Sequence, residues 1–207
     1  MFAFVLNFVL WAALHSLTAV TATKERATAV LGQRAYEGLY RLLYNLFAVV
    51  TFLPVLYSYL ILPDAPLWAV PTPWRWGMWG LQGLGALGLL YALWQTDFLA
   101  FAGLKQAYLF VSGEPVNKEA TQTLGEVLVV GGLYRYMRHP LYTFSMLFLW
   151  ANPVMTRNSL VLAVVFSLYF VVGSVWEERR LKRQFGALYG DYQRRVPRFV
   201  PRPWRSS

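Results

Sequence analysis

Long stretches without charged residues alternate with short basic segments along this chain, and the alternation predicts membrane-spanning helices. Residues 1–23 contain no charged side chain, and further apolar runs follow at about 39–62 and 74–94. Each run reaches the roughly 20 residues that an α-helix needs to cross the hydrocarbon core of a bilayer. Because basic residues follow the first run and none precedes it, we predict an anchor there rather than a signal peptide.

Two more apolar runs predict a helical hairpin over residues 140–176. The pattern breaks at NPVMTRNS, residues 152–159, where an Asn-Pro pair favours a turn. The first arm, Leu141 to Ala151, would be only about 17 Å long against a hydrocarbon core of about 30 Å. We therefore expect this arm to begin inside the membrane beside a polar cavity, or to be continued past a kink by the residues before Pro140.

Charged residues concentrate in the segments between these runs, and their distribution predicts the orientation. Of the 19 Lys and Arg residues, 17 lie in residues 24–41, 95–139 and 177–207. The positive-inside rule then places the amino terminus outside and the carboxyl terminus in the cytoplasm, in a membrane of the bacterial inner-membrane type.

Together the elements predict an all-α integral membrane bundle of five transmembrane helices, as a single domain over residues 1–207. Within it we predict three amino-terminal spans (1–94), a cytoplasmic loop (95–139), the hairpin (140–176), and a cytoplasmic amphipathic helix with a cap (177–207). The last helix is predicted to lie along the membrane surface, because one apolar stripe runs through it. That stripe comprises Leu181, Phe185, Leu188, Tyr189 and Tyr192.

The composition agrees with a membrane protein and excludes several functions. Hydrophobic residues make up 57% of the chain and charged residues 14%, against about 25% charged in soluble proteins. The chain has no cysteine, which excludes disulfides and thiolate chemistry by the protein. The net charge is +9, and the basic residues border apolar runs. We therefore expect membrane lipid rather than nucleic acid as the partner. The glycine-rich third span permits a homodimer.

Polar side chains in or beside the spans indicate a site, because polar groups are costly in lipid. Each one alone is readily explained by a hydrogen bond to neighbouring backbone or between helices. The stronger observation is that these side chains share one depth on the cytoplasmic side, together with Gln95 at the end of the third span. We expect His15, Asn45 and Asp97 to contact a substrate.

A basic corner is predicted where Arg138 and His139 precede Pro140. Proline suits the first position of a helix, and the free backbone N–H groups beside a guanidinium can bind a carboxylate or a phosphate. The alternative is that both basic side chains extend to lipid headgroups.

The position of the hairpin turn decides what this corner faces. With a turn near residue 154, His139 would lie level with about residue 170, and Glu177 would lie about 10 Å nearer the cytoplasm. The basic corner and the acidic pair Glu177–Glu178 would then hold a zwitterionic ligand between them.

Two segments of this chain match a known family. GLYRYMRHPLY (132–142), followed after the hairpin by EERRLKRQFGALYGDYQRRVPRFVP (177–201), resembles the carboxyl-terminal signature of the integral-membrane S-adenosylmethionine-dependent methyltransferases. These include isoprenylcysteine carboxyl methyltransferases, phospholipid N-methyltransferases and methanethiol S-methyltransferases. DFLAFAGLKQ (97–106) and WANPVMT (150–156) are similar to the methanethiol branch. LHSL in the first span is similar to membrane proteins associated with nitric oxide and nitrite reduction.

The resemblance implies S-adenosylmethionine as cofactor, bound in a pocket built by the last two spans and the tail. It implies Arg138 or His139 near the methionyl carboxylate, and Glu177 or Glu178 near the ammonium or the ribose hydroxyls. No metal is required. The cofactor-binding residues carried over from the family are Gly132, Tyr134, Arg138, His139, Tyr142, Glu177, Glu178, Tyr189 and Tyr192.

The methyl acceptor is left open between a thiol, a prenylcysteine carboxylate and a lipid amine. A thiol needs a cation such as Arg138 that favours the thiolate, an amine needs a base such as Asp97 or Glu178, and a carboxylate needs neither. A non-catalytic assembly or accessory protein on the same fold is the alternative function. A small transporter with His15 and Asp97 as a proton relay is disfavoured, because paired discontinuous helices in two related halves are lacking.

Overall fold

The computed structural model describes residues 1–116 and 127–201, which divide into two compact units. Residues 1–63 and 96–116 belong to the first unit, and residues 64–95 and 127–201 belong to the second. The elements in chain order are α1 (Phe2–Ala19), α2 (Thr21–Leu31), α3 (Gln33–Ile61), β1 (Pro66–Ala69), α4 (Trp74–Gln95), α5 (Phe98–Ala102), α6 (Leu104–Val111), a 3-10 helix (Gly132–Arg135), α7 (Pro140–Trp150), β2 (Val154–Thr156), α8 (Arg157–Phe185) and α9 (Ala187–Arg195).

Within the described residues, three helices are long and apolar enough to cross a membrane. They are α1, α3 and α8, and they confirm the prediction of a membrane protein with transmembrane helices. The predicted third span is occupied by α4, whose many glycine and tryptophan residues lower its hydropathy, and the short first arm of the hairpin is the apolar helix α7. The total of five spans therefore remains a prediction.

In the first unit, α1 packs along α3 and their polar groups pair with each other. The indole Nε1 of Trp11 donates to the Ala48 carbonyl at 2.9 Å, and Asn7 Nδ2 donates to Ser58 Oγ at 2.9 Å. Asn7 also donates to the carbonyl of Pro54, the proline inside α3, at 3.3 Å. These contacts matter because the lipid interior offers no hydrogen-bond partner.

The segment predicted as an aqueous loop, residues 95–139, begins with two short helices packed on α3. Asn45 Nδ2 donates to the Phe101 carbonyl at 2.9 Å, which joins α3 to the end of α5. Gly103 has a φ of +87°, and a Cβ there would lie 2.4 Å from the Leu42 nitrogen, so only glycine allows this approach. Short helices thus occupy residues 98–102 and 104–111 of the predicted loop, and residues 117–126 of that loop lie outside the described residues.

In the second unit, residues 66–69 and the predicted hairpin turn pair as a two-stranded antiparallel sheet. Pro66 is opposite Thr156, and Ala69 is opposite Val154. Asp64 Oδ1 accepts hydrogen bonds from the Ala65 and Asn158 nitrogens at 2.9 and 3.0 Å. The structure is thus mostly helical, as predicted, and this small sheet of Pro66–Ala69 and Val154–Thr156 is an addition that was not predicted.

The glycine-rich face of α4 packs against α7, also in the second unit. A Cβ added at Gly85 would lie 2.8 Å from the Phe148 nitrogen, and one at Gly88 would lie 2.3 Å from the Phe144 ring. A Cβ at Gly77, Gly80 or Gly83 would meet nothing within 4 Å. Small residues in α4 therefore allow the backbones of α4 and α7 to approach closely, as packing between helices in lipid requires.

The carboxyl-terminal tail differs from the single surface helix that was predicted. The helix α8 continues through Glu177 to Phe185, Gly186 adopts a φ of +56°, and α9 follows. Within the predicted stripe, Leu188 is 64% exposed, whereas the other members pack inside the protein. Leu181, Tyr189 and Tyr192 form a buried cluster with Val196, and Phe185 packs against it. The stripe was thus correctly identified as apolar, but most of it faces the protein core.

The contact between α4 and α7 generates a prediction for paired glycine variants. Gly85→Ala should lower the free energy of unfolding by about 1–3 kcal/mol, because the new methyl group overlaps the α7 backbone. Gly80→Ala should change it by less than about 1 kcal/mol, and in the stabilising direction, because the site is open and alanine favours helix. Equilibrium unfolding of the purified protein in mixed micelles measures both values. Equal effects of the two substitutions would contradict the observed packing.

Candidate functional site

The register of the hairpin brings the predicted basic corner and acidic pair into direct contact. Trp150 Nε1 donates to Ser167 Oγ at 2.9 Å, and His139 Nε2 lies 3.0 Å from Glu178 Oε1. The antiparallel register is therefore centred near residue 158, because the first turns of α8 extend past the end of α7. The turn itself lies at residues 151–156, as predicted, but the facing positions of the two arms are shifted by about eight residues from those of a symmetric hairpin. The predicted separation of about 10 Å between the basic corner and the acidic pair is therefore replaced by a direct hydrogen bond.

Glu178 is the centre of a buried network that involves three separate segments. Its Oε1 accepts from Arg138 Nε at 2.9 Å, from His139 Nε2 at 3.0 Å and from Arg198 Nε at 3.1 Å. Its Oε2 accepts from Gln193 Nε2 at 3.0 Å and Arg198 Nη2 at 2.8 Å. The Glu178 side chain is 5% exposed. A carboxylate buried to this degree requires such compensation, and five donors satisfy both of its oxygens.

The same network fixes the end of the chain against the start of α7. The Arg138 nitrogen donates to the Pro197 carbonyl at 2.9 Å, and the His139 nitrogen donates to the Arg198 carbonyl at 3.1 Å. Arg138 Nη1 also donates to the carbonyls of Gln193, at 3.0 Å, and of Val196. Residues 196–199 are thus held beside the start of α7 by main-chain and side-chain bonds together.

Glu177, the neighbouring carboxylate, has a different environment. Its Oε2 accepts from the Tyr142 hydroxyl at 3.1 Å and lies 3.5 Å from His139 Nδ1. Its Oε1 makes no hydrogen bond to a residue that the structure describes, and the side chain is 28% exposed. Of the two acidic residues, Glu177 therefore retains an oxygen that can bind a ligand.

His139 lies between the two carboxylates, with one ring nitrogen toward each. Only the doubly protonated ring can donate from both nitrogens. Burial alone would lower the pKa of His139, but the hydrogen bonds that the ring donates to Glu177 and Glu178 outweigh it and hold the pKa above its ordinary value. The ring also stacks on Tyr142, with centroids 5.3 Å apart and planes 3° from parallel.

A cavity opens beside this network on the side of Glu177. Its volume is about 30 Å³, well below the roughly 300–1,000 Å³ of established small-molecule sites. Apolar contacts come from the short extended segment 127–129 and from Leu181. The polar and aromatic lining comprises Tyr134, Arg138, His139, Glu177, Tyr189 and Tyr192.

Several polar groups of the lining are available to a ligand. Arg138 uses Nε and Nη1 in the network, while Nη2 makes no hydrogen bond to a described residue. Tyr134 and Tyr189 are 6% and 1% exposed, and their hydroxyls likewise have no hydrogen-bond partner among residues 1–116 and 127–201. Burial raises the pKa of both phenols, so they remain neutral donors. The cavity thus presents one carboxylate oxygen, one guanidinium N–H and aromatic rings, which suits a ligand with both charges and a ring.

Three predicted cofactor residues lie beside the cavity rather than in its described lining. Glu178 is occupied by its network, and Tyr142 supports Glu177. Gly132 has a φ of +56°, and a Cβ there would lie 1.5 Å from Gln95 Nε2. Gln95 Oε1 accepts from the Leu133 nitrogen at 3.1 Å, so Gly132 allows the close contact between the 3-10 helix and the end of α4.

The three predicted substrate residues lie in the first unit. His15 Nε2 is 2.8 Å from the Tyr44 hydroxyl and stacks on Trp11, with centroids 5.3 Å apart. Asn45, next to Tyr44, bonds to α5. Asp97 caps α5 by accepting from the Ala100 nitrogen at 3.1 Å, and it pairs with Lys105. The hydrogen bond from Lys105 is the main cause of a lowered pKa at Asp97. Their contact with a substrate remains a prediction.

Two residues of the network were missed by the sequence reasoning. Arg198 and Gln193 lie within the carboxyl-terminal segment that carries the family resemblance, and Arg198 is flanked by prolines in VPRFVP. Those prolines mark an ordered extended segment, which was the available signal. Within the described residues, no group of three or more His, Cys, Asp or Glu residues could hold a metal ion.

The comparisons with known proteins cover most of the chain. A family model for "NnrU protein" matches residues 3–200. Methanethiol S-methyltransferase 2 of Bradyrhizobium diazoefficiens is 32% identical over 193 residues, which is 93% of this chain and 70% of that protein. Methanethiol S-methyltransferase 1 of the same organism is 30% identical over 206 residues, which is 98% of this chain and 66% of that protein.

A eukaryotic enzyme shows a shorter match. Protein-S-isoprenylcysteine O-methyltransferase B of Arabidopsis thaliana is 31% identical over 130 residues, which is 51% of this chain and 66% of that protein. The chain thus spans about two thirds of the length of these relatives. No solved structure matches. The resemblance to the integral-membrane methyltransferases is confirmed, and the names of the relatives support methyl transfer.

The network generates a prediction about the two neighbouring carboxylates. Glu178→Gln should lower the free energy of unfolding by about 3 kcal/mol, because Arg138, His139 and Arg198 would lose a buried counter-ion. Glu177→Gln should cost less than about 1 kcal/mol, because that side chain is partly exposed and makes fewer bonds. Unfolding of both variants in the same micelles tests the difference. A larger loss for Glu177→Gln than for Glu178→Gln would contradict the assignment of Glu178 as the structural carboxylate.

His139 generates a prediction for pH. Its raised folded-state pKa contributes stability that is fully present below the unfolded value of about 6.5 and is lost as pH rises through the folded-state value. The unfolding free energy should therefore decrease above about pH 6.5 in the wild type, and this decrease should be smaller in His139→Gln. Unfolding curves at a series of pH values give the slope of the unfolding free energy against pH for each protein. The lower absolute stability of the variant does not affect the comparison of these slopes. Parallel profiles would exclude a charged His139.

Proposed function

The chain belongs to the NnrU protein family, and from this premise we propose that it transfers the methyl group of S-adenosylmethionine to a small thiol. The observation that carries the proposal is the combination of two facts. Matches to methanethiol S-methyltransferases extend over more than nine tenths of the chain, and the part of the chain carrying the signature encloses a cavity with both charges.

The residues around the cavity fit S-adenosylmethionine by their chemistry. The open oxygen of Glu177 suits the cofactor's cationic groups, and Arg138 Nη2 suits its carboxylate. Tyr134, Tyr189 and Tyr192 offer ring faces for the adenine and for a cation. When bound, S-adenosylmethionine supplies a methyl group that is already activated on a sulfonium.

The contribution of the protein is then positioning and exclusion of water. Glu178 holds Arg138 and His139 in place, and residues 196–199 are fixed behind them. Tyr142 and His139 orient Glu177 through its Oε2, which leaves Oε1 directed to a ligand. A rigid, partly enclosed site of this kind can orient reactants and remove water without a covalent nucleophile.

The environment of the acidic residues favours a thiol acceptor over an amine. An amine requires a base, but Glu178 already accepts five hydrogen bonds, and the pKa of Asp97 is lowered mainly by its hydrogen bond from Lys105. Neither carboxylate is suited to take a proton. A thiol acceptor needs no proton-accepting carboxylate, because a cationic neighbourhood is enough to favour its thiolate form. A prenylcysteine carboxylate needs neither group and is the second acceptor to test.

We also propose that the reaction takes place at the cytoplasmic side of the membrane, since the basic segments flank α8 and α9. This orientation rests on the distribution of Lys and Arg. A topology reporter fused at Thr72 should respond as external, and one fused at Ser206 as cytoplasmic. The reverse response would exclude the proposed side.

The cofactor prediction concerns Glu177. Purified protein should bind S-adenosylmethionine in the micromolar range, and Glu177→Gln should weaken binding about tenfold, or about 1.4 kcal/mol, because one charge-assisted contact is lost. Isothermal titration in detergent measures both constants. Glu25→Gln, which neutralises an exposed carboxylate in α2, is the matched control and should leave binding unchanged.

The acceptor is identified by uptake of labelled methyl groups. Methanethiol-like thiols should be labelled in preference to a prenylcysteine analogue and to phosphatidylethanolamine, and labelling should fall with cofactor affinity in Glu177→Gln. Cofactor binding with labelling only of the lipid amine would refute the thiol assignment. The absence of cofactor binding by folded protein would refute the proposed activity and favour an accessory role.

A further inference from the structure

The last two turns of α8 carry side chains of opposite character on their two faces. Glu178 and Leu181 point into the protein and are 4% and 8% exposed. Arg179, Lys182 and Arg183 are exposed, and their spacing of three and four residues places them on one side of the helix. Arg180 is exposed beside them. We call these four cations the basic face of α8.

The basic face is not neutralised within the part of the chain that the structure describes. The carboxylates nearest to it in sequence, Glu177 and Glu178, are engaged by His139, Tyr142 and the Glu178 network. Asp191 in α9 pairs with Arg194. No ion pair joins Arg179, Lys182 or Arg183 to a described acidic residue, so these three cations present their charge outward, whereas the charge of Arg180 also acts on Glu177.

The position of this face along α8 corresponds to the headgroup region of a bilayer. Trp176, which ends the apolar part of the helix, is 64% exposed, and tryptophan is enriched at the membrane interface. From Trp176 to Arg183 the helix advances about 10 Å, and the headgroup layer of each leaflet is roughly 5–7 Å thick. The cations therefore lie at and just beyond headgroup depth.

We propose that the basic face of α8 binds the headgroups of anionic phospholipids and thereby stabilises the helix end that carries Glu177 and Glu178. Clusters of four or more cations directly after a transmembrane helix attract anionic lipid, and the guanidinium groups can bind phosphate oxygens in pairs. The coupling to stability follows because a lipid that binds the folded helix favours the folded state. The proposal does not depend on methyl transfer.

The test uses the purified full-length protein and two lipids of opposite headgroup character. In mixed micelles, fluorescent phosphatidylglycerol should bind and raise the thermal unfolding midpoint, whereas phosphatidylcholine should do neither. The double variant R179Q/R183Q should bind phosphatidylglycerol about tenfold or more weakly, since each cation contributes about fivefold. The variant R179K/R183K, which retains both charges, should bind within about threefold of the wild type.

A matched control separates a specific face from a general effect of charge. R26Q/R195Q removes two exposed cations from other helices, and it should leave lipid binding within about threefold of the wild type. Equal losses in the two double variants would overturn the proposal, as would equal binding of phosphatidylcholine. Inorganic phosphate that alone produces the same stabilisation would identify a site for free anions and would also overturn it. Circular dichroism shows whether each variant is folded. If R179Q/R183Q is not folded, R179K/R183K gives the decisive comparison.

Discussion

The second unit of this protein depends on one buried carboxylate. Removing Glu178 from water is costly, and the cost is offset only because donors arrive from the start of α7, from α9 and from the carboxyl-terminal segment. Each donor group that satisfies Glu178 also fixes the position of its own segment. The network therefore determines where the chain after α9 lies, and it places the guanidinium of Arg138 and the ring of His139 at the edge of the cavity.

Two adjacent acidic residues perform different tasks because successive residues of a helix point in different directions. Glu178 faces the basic side chains and is saturated by hydrogen bonds. Glu177, one position earlier, is held at one oxygen by Tyr142 and His139, and its other oxygen remains available. The residue types alone do not distinguish the two. The distinction comes from the orientation of α8, and it divides the predicted acidic pair into one carboxylate saturated by hydrogen bonds and one with an oxygen that remains open.

The end of α8 combines two environments within about two turns. Its inward side packs Leu181 against the tyrosines of α9, and its outward side carries the basic face. The two sides of the helix formed by the segment EERRLKRQF therefore differ in charge as well as in hydropathy. A membrane enzyme whose site lies at the end of a span can join its catalytic region to the lipid surface in this way, because the same helix reaches both.

The apolar runs and the basic borders were sufficient to predict a helical membrane protein, and the RHP and EE motifs were sufficient to predict which residues gather at one site. Those properties depend on composition and on local helix geometry, which a sequence displays directly. The pairing of β1 with β2, the division of the tail at Gly186 and the roles of Gln193 and Arg198 depend on contacts between segments far apart in the chain. The hairpin register shows why: a turn at the predicted place still leaves the facing positions of the two arms undetermined, so only the tertiary structure could decide that His139 contacts Glu178.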